Sequence, residues 1–304
     1  MTDDPRWPRA ATWLAAGPGD RSVDLAVLGV PAHWTSLSPT GADATPAAVR
    51  WALARYSTYA AQRNADLAGL APVDLGDLPD PDGDEAATTA SAERAVRTSR
   101  LLVAVGGDNS ITFAAGRGAL GVDLQHAGLV TLDAHHDLRD GVSNGSPVRR
   151  LVEEAGLDPS RIAQVGISDF ANSRAYTERA REWGLHVLRR DDVERRGITA
   201  CMQEALAVAG AAGGPVYVDL DVDVCDRSVA PGCPASAPGG LAAHELREAA
   251  FLAGSHPQVT ALDITEVDAT ADTPDDRTVR LAALCLLEAA AGLALRPPSR
   301  PTFQ

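Results

Sequence analysis

Six short apolar runs recur along the chain, at residues 23–30, 101–105, 128–132, 162–167, 216–220 and 259–264. Each is continuous rather than alternating, and most are followed by Gly, Asp or Asn. Runs of this length and pattern predict strands buried on both faces. Between them lie Ala-rich stretches with helical character, at 46–56, 86–98, 173–184, 198–209, 242–253 and 278–291. Strands alternating with helices imply βαβ units, a mainly parallel sheet and the α/β class. The acidic, Pro-containing stretch 77–85 reads as an exposed loop. No repeat or linker interrupts the pattern, so residues 1–304 are expected to form one doubly wound domain.

In such sheets ligands sit beyond the carboxyl ends of the strands, and the polar clusters of this sequence fall there. Asp133-Ala134-His135-His136-Asp137 follows the run 128–132. In extended backbone Asp133, His135 and Asp137 would share one side. Two carboxylates and an imidazole read as a hard-to-borderline divalent metal site or, taken alone, as a solvated polar loop. His136 would face the other way, in a supporting role. Asp219, Asp221 and Asp223 would likewise share one side of the run that begins at 216. Like charges this close repel in a poorly solvated site and stay ionised with cations between them or with access to water. Gly106-Gly107-Asp108-Asn109-Ser110 follows a third run, where the glycine pair permits a sharp turn. Asp263 and Glu266 mark the end of a fourth.

Composition narrows the chemistry. The net charge of -14 and the lack of a basic stretch argue against nucleic acid and anionic membranes as partners. All 27 Lys+Arg residues are arginine, which removes Schiff-base, pyridoxal-lysine and P-loop chemistry. Cys201, Cys225, Cys233 and Cys285 form no CxxC pair and read as buried or half-buried thiols of a reducing compartment. Asp3 and Asp4 precede no apolar segment, and the apolar stretch 281–295 contains Glu288 and is short for a bilayer. A cytoplasmic protein is expected.

Taken together, the four clusters resemble the ureohydrolase (arginase/agmatinase) family. Residues 106–110 are similar to its GGDHS motif, 133–137 match DAHxD, 219–234 resemble DxDxxDPxxAPG, and 262–267 resemble D-I-x-E-V. Residues 29–31 through Gly41, with 46–50, look like its N-terminal portion. The resemblance implies a three-layer α/β/α sandwich, a small-molecule substrate, and a homo-oligomer, trimer or hexamer. It also implies two manganese ions held by Asp133, His135, Asp137, Asp221 and Asp223, with Asp133 and Asp221 bridging. Glu266 would hold an amidine group. The chain departs from the family where Asn109 replaces the first histidine ligand, which suggests a weakened manganese site there. Asn144 replaces the histidine of an HGxP segment, and Arg227 replaces a proline.

Arg139, Asn144 and Arg149 fall in segments similar to the formimidoylglutamase branch. An arginine two residues beyond a metal-ligand aspartate suits a substrate carboxylate, and Arg149 could supply a second contact. The expected reaction is hydrolysis of N-formimidoyl-L-glutamate, with Asp137 relaying a proton to the leaving amine. The loop 168–172 is a further candidate to face substrate. Agmatinase or guanidino-acid ureohydrolase activity is the alternative, and a metal-poor, non-catalytic homologue is a third reading.

Overall fold

The computed structural model describes residue 4 and residues 6–121 and 124–297; Asp3 lies outside them. Eight strands form one sheet in the order β4 (Pro72–Asp77), β1 (Leu25–Val30), β5 (Leu101–Gly106), β10 (Val259–Thr265), β9 (Val216–Asp221), β6 (Gly128–Leu132), β7 (Ile162–Ile167), β8 (His186–Arg189). Every pairing in it is parallel. A two-stranded antiparallel ribbon of β2 (Tyr59–Ala60) and β3 (Ala65–Asp66) stands apart.

The strands alternate faces as their side-chain period demands. Leu25, Val27, Leu101, Val103 and Val105 join one apolar cluster, with α1 (Ala10–Ala16), α2 (Thr45–Ala52), α7 (Arg190–Arg196), α8 (Ile198–Ala209), α9 (Ala243–Ser255) and α10 (Arg277–Ala294). Ala26, Leu28, Leu102 and Ala104 join the other, with α3 (Glu85–Thr98), α4 (Ile111–Leu120), α5 (Pro147–Glu153) and α6 (Arg174–Glu182). The result is the three-layer α/β/α sandwich. All six expected strands are present. The expected list lacked the two outer strands, because β4 and β8 are buried on few positions and carry polar residues. It also lacked α1, α4, α5 and α7.

The connection through α4 carries the chain from β5 over two strand positions to β6, and β9 and β10 fill the gap later. This is the switch point at which an open α/β sheet leaves a crevice. Gly107 closes the turn above β5: a Cβ there would lie 1.8 Å from the Ala32 carbonyl oxygen, so close backbone approach, not a left-handed φ, requires glycine. No helix among the described residues is long and apolar enough to cross a membrane. The four cysteines are buried and free.

Candidate active site

β5, β10, β9 and β6 are neighbours, and each ends in one of the polar clusters. The strict alternation expected of those clusters fails just past the strands. β9 stops at Asp221, whose carboxylate accepts the Asp223 N–H at 2.8 Å and opens a 3-10 turn over Val222–Val224. Short acidic side chains favour this local bond over continued extension. The turn swings Asp223 toward β6: Oδ1 accepts the Ala134 N–H at 3.1 Å, and Oδ2 lies 2.7 Å from His135 Nδ1. Beyond β6 the chain also leaves the extended path, and Asp137 adopts a left-handed φ of 54°. The expected residues therefore converge through turns. Asp219 stays within β9, buried below them.

Asp133, His135 and Asp223 bring one nitrogen and two carboxylate oxygens within 4.8 Å of one another. Asp133 is fully buried, and its Oδ2 finds no hydrogen-bond partner among the described residues. Burial and neighbouring carboxylates push Asp133 and Asp221 well above the usual carboxylate range. Burial likewise pushes Asp137 up to about 7. Burial opposes charge on His135, but Asp223 and Asp133 outweigh it and raise the imidazole to about 12. The same ion pair outweighs burial at Asp223 and lowers it. A pocket that must draw protons to balance its carboxylates, with an orphaned oxygen at its centre, fits divalent cations.

Asn109 sits at the back wall. Its Nδ2 donates to Asp137 Oδ2 at 2.6 Å, while its Oδ1 accepts the hydroxyls of Thr112 at 2.7 Å and Thr265 at 3.0 Å. The amide oxygen is thus engaged with threonines, and the cluster meets an N–H donor, as suits the weakened metal site expected at Asn109. Below it, Asp219 and Asp263 are paired in register on β9 and β10. Asp219 Oδ2 and Asp263 Oδ1 lack hydrogen-bond partners among the described residues. Burial raises both groups, Asp263 to about 6. Two fully buried carboxyls side by side are reconciled by one proton between them. Tyr217 OH completes the floor, donating to Asp263 Oδ2 at 2.9 Å.

Glu266 also adopts a left-handed φ, 62°. Its Oε1 accepts the Asn109 N–H and the Asn144 Nδ2, both at 2.8 Å. Burial pushes it up to about 8 against these donors. Asn144 Oδ1 in turn accepts the Leu37 N–H at 3.1 Å. Asn144 was expected to bind substrate; both ends of its amide are held by protein, so it positions Glu266 and the segment at Leu37. Glu266, Asp137, His135, Asp221 and Asp223 line a cavity of ≈ 290 Å³. Arg139 lines the same cavity, is exposed, and its side chain has no hydrogen bond or ion pair among the described residues.

Arg149 requires a correction. Its guanidinium donates to Arg139 O at 2.8 Å and Gly141 O at 2.5 Å and pairs with Glu153 at 2.6 Å. It clamps the loop that carries Arg139 instead of facing the cavity, because that loop folds over α5 and leaves its carbonyls to be satisfied. Arg227 ties its own turn, donating to Cys233 O at 2.5 Å. His136 bonds Gln164 at 2.6 Å, in the supporting role expected. In the loop 168–172, Asn172 takes the His136 N–H at 2.9 Å and donates to Ala134 O at 3.0 Å. Thr112, Thr265 and Tyr176, which also lines the cavity, were not singled out in the sequence; nothing distinguishes these hydroxyls locally from others on helices and strands.

A parallel α/β/α sheet with a buried Asp/His cluster at its switch point defines a metal-dependent hydrolase. The chain belongs to the arginase family, whose sequence model matches residues 23–292. It is 34% identical to the formimidoylglutamase of Halalkalibacterium halodurans over 296 residues, covering 91% of this chain and 90% of that one. The crystal structure of formimidoylglutamase from Bacillus subtilis superposes with a TM-score of 0.89 at 30% identity, covering 98% of this chain and 95% of that one. That of Trypanosoma cruzi formiminoglutamase with Mn2+ gives 0.87 at 25% identity, covering 96% and 100%.

Proposed function

We propose that this chain hydrolyses N-formimidoyl-L-glutamate to L-glutamate and formamide with two manganese ions. Similarity to formimidoylglutamases over nine-tenths of the chain supports the substrate, and the Mn2+ in the T. cruzi structure supports the metal. The observation that carries the reading is Arg139: a guanidinium with no side-chain hydrogen bond or ion pair among the described residues, lining the cavity that holds the metal-type cluster and Glu266.

Asp133, His135, Asp137, Asp221 and Asp223 would hold the metal. Bound manganese supplies the positive charge and Lewis acidity that let water act as a nucleophile near neutral pH. Glu266, fixed by Asn109 and Asn144, holds the amidine N–H groups and so fixes the carbon to be attacked. Arg139 binds a carboxylate at the far end, where a cationic amine such as that of agmatine would be repelled. Water adds to the amidine carbon, and the bond to the glutamate nitrogen breaks. Asp137 lines the cavity and is the base placed to return the proton to that nitrogen.

A release assay tests the assignment, with N-formimidoyl-glutamate, agmatine, arginine and guanidinobutyrate in manganese buffer. Fastest turnover of the formimidoyl substrate is expected. A guanidino acid also carries a carboxylate for Arg139, so faster turnover of guanidinobutyrate would move the assignment to a guanidino-acid ureohydrolase. We place the protein in the cytoplasm, as one domain assembled into trimers or hexamers; light scattering of the purified protein tests the assembly.

A further inference from the structure

We infer that Thr112 is a positioning residue: its hydroxyl fixes the Asn109 amide so that an N–H, not an oxygen, faces Asp137. The inference rests on the reading of Asp137 as a metal carboxylate.

The donor and acceptor inventory forces this arrangement. Asn109 is 1% exposed and Asp137 6%, so water is not available to rescue a mismatch. As a metal-bound carboxylate Asp137 is ionised and only accepts. With the amide turned the other way, its oxygen would oppose Asp137 Oδ2 across 2.6 Å, acceptor against acceptor. The amide nitrogen must therefore face Asp137, and its oxygen must face the threonines and receive their protons. Thr112 is fully buried and lies 2.7 Å from both Asn109 Oδ1 and Asp263 Oδ2. It has one proton to give. Asp263 Oδ2 also accepts the Tyr217 OH, so the Thr112 hydroxyl is held between the Asn109 amide oxygen and the floor of the site. Thr265 supplies the second, longer bond at 3.0 Å. Thr112 opens α4 and Thr265 ends β10, so a helix and a strand jointly hold one amide. Without a hydroxyl at position 112 the amide oxygen keeps only the longer Thr265 bond, and the donor facing Asp137 is held less firmly.

Manganese titration by calorimetry on the full-length chain decides the matter. Groups that orient a metal ligand change affinity by roughly ten- to hundredfold when removed. Thr112→Val is expected to weaken manganese binding about tenfold, and Thr112→Ser to restore it. Asn109→Ala should weaken binding similarly, and Thr112→Val should then add nothing in the Asn109→Ala background, because Thr112 acts through Asn109. Additive losses in the double variant, or wild-type affinity in a folded Thr112→Val, overturn the inference. If Thr112→Val does not fold, Thr112→Ala goes through the same cycle with the same outcomes deciding. Asp137→Ala separates the two readings: full manganese binding in that variant would remove the metal assignment itself, whereas its loss beside an unaffected Thr112→Val removes the positioning role alone.

Discussion

Asn144 joins Glu266 to Leu37. Its Nδ2 donates to Glu266 Oε1 at 2.8 Å, and its Oδ1 accepts the Leu37 N–H at 3.1 Å. One amide thus couples the carboxylate that grips substrate to a segment at the cavity mouth. A hydrogen bond to a charged group contributes about 1.5–3 kcal/mol. Asn144→Ala is expected to lower kcat/KM by roughly ten- to hundredfold, with manganese content and circular dichroism unchanged. Wild-type kinetics in that variant would show that Glu266 needs no such support.

Arg139→Ala tests the far end of the cavity. It should raise KM for the formimidoyl substrate by about ten- to hundredfold, the effect of one charge-assisted hydrogen bond. Manganese content, measured by metal analysis, should not change. Unaltered kinetics would remove the reason to prefer a carboxylate-bearing substrate to agmatine.

Asp221→Ala and His135→Ala each take away a group of the metal-type cluster. Turnover should disappear in both, while thermal unfolding remains cooperative, because both residues lie at strand ends outside the apolar clusters. Near-wild-type activity in either, with full metal content, would contradict their assignment.

The metal-free protein should become less stable as pH rises. Asp133, Asp137, Asp221 and Glu266 have folded values above their ordinary range, with Asp137 at about 7 and Glu266 at about 8. The folded state therefore holds protons that the unfolded chain releases near pH 4. Their contribution is complete below about pH 4 and is lost as pH rises through 7 and 8. His135, raised to about 12, acts in the same direction above its ordinary range. Differential scanning calorimetry of the chelated protein should give a lower Tm at pH 8 than at pH 5.5. Added manganese should restore more at pH 8, where fewer protons compete. A chelated protein more stable at pH 8 would refute this account.

The sequence was most legible where burial was complete. The runs beginning at 128 and 162 have the same bounds as β6 and β7. β4 and β8 were illegible because an edge strand lacks the apolar pattern of a central one. The site was legible as a set of residues, not as a geometry: Asp223 reaches His135 through a 3-10 turn that an extended reading places elsewhere. Arg149 shows the other limit. An arginine beside a cavity and an arginine holding a loop look alike until the carbonyls of Arg139 and Gly141 are located. Thr112 is an ordinary helix residue in sequence, and its role exists only because α4 packs over the paired aspartates.

The left-handed backbone at Asp137 and Glu266 has an evolutionary consequence. Such a conformation costs a non-glycine residue on the order of 1 kcal/mol or more, and burying the two carboxylates adds to that cost. Glycine at either position would relax the backbone, and the variant chain would lose catalysis. Selection for a relaxed backbone alone would favour glycine at these two positions. Their retention in a lineage is thus a record of selection for turnover, and a homologue with glycine at both positions would be one that had been released from it.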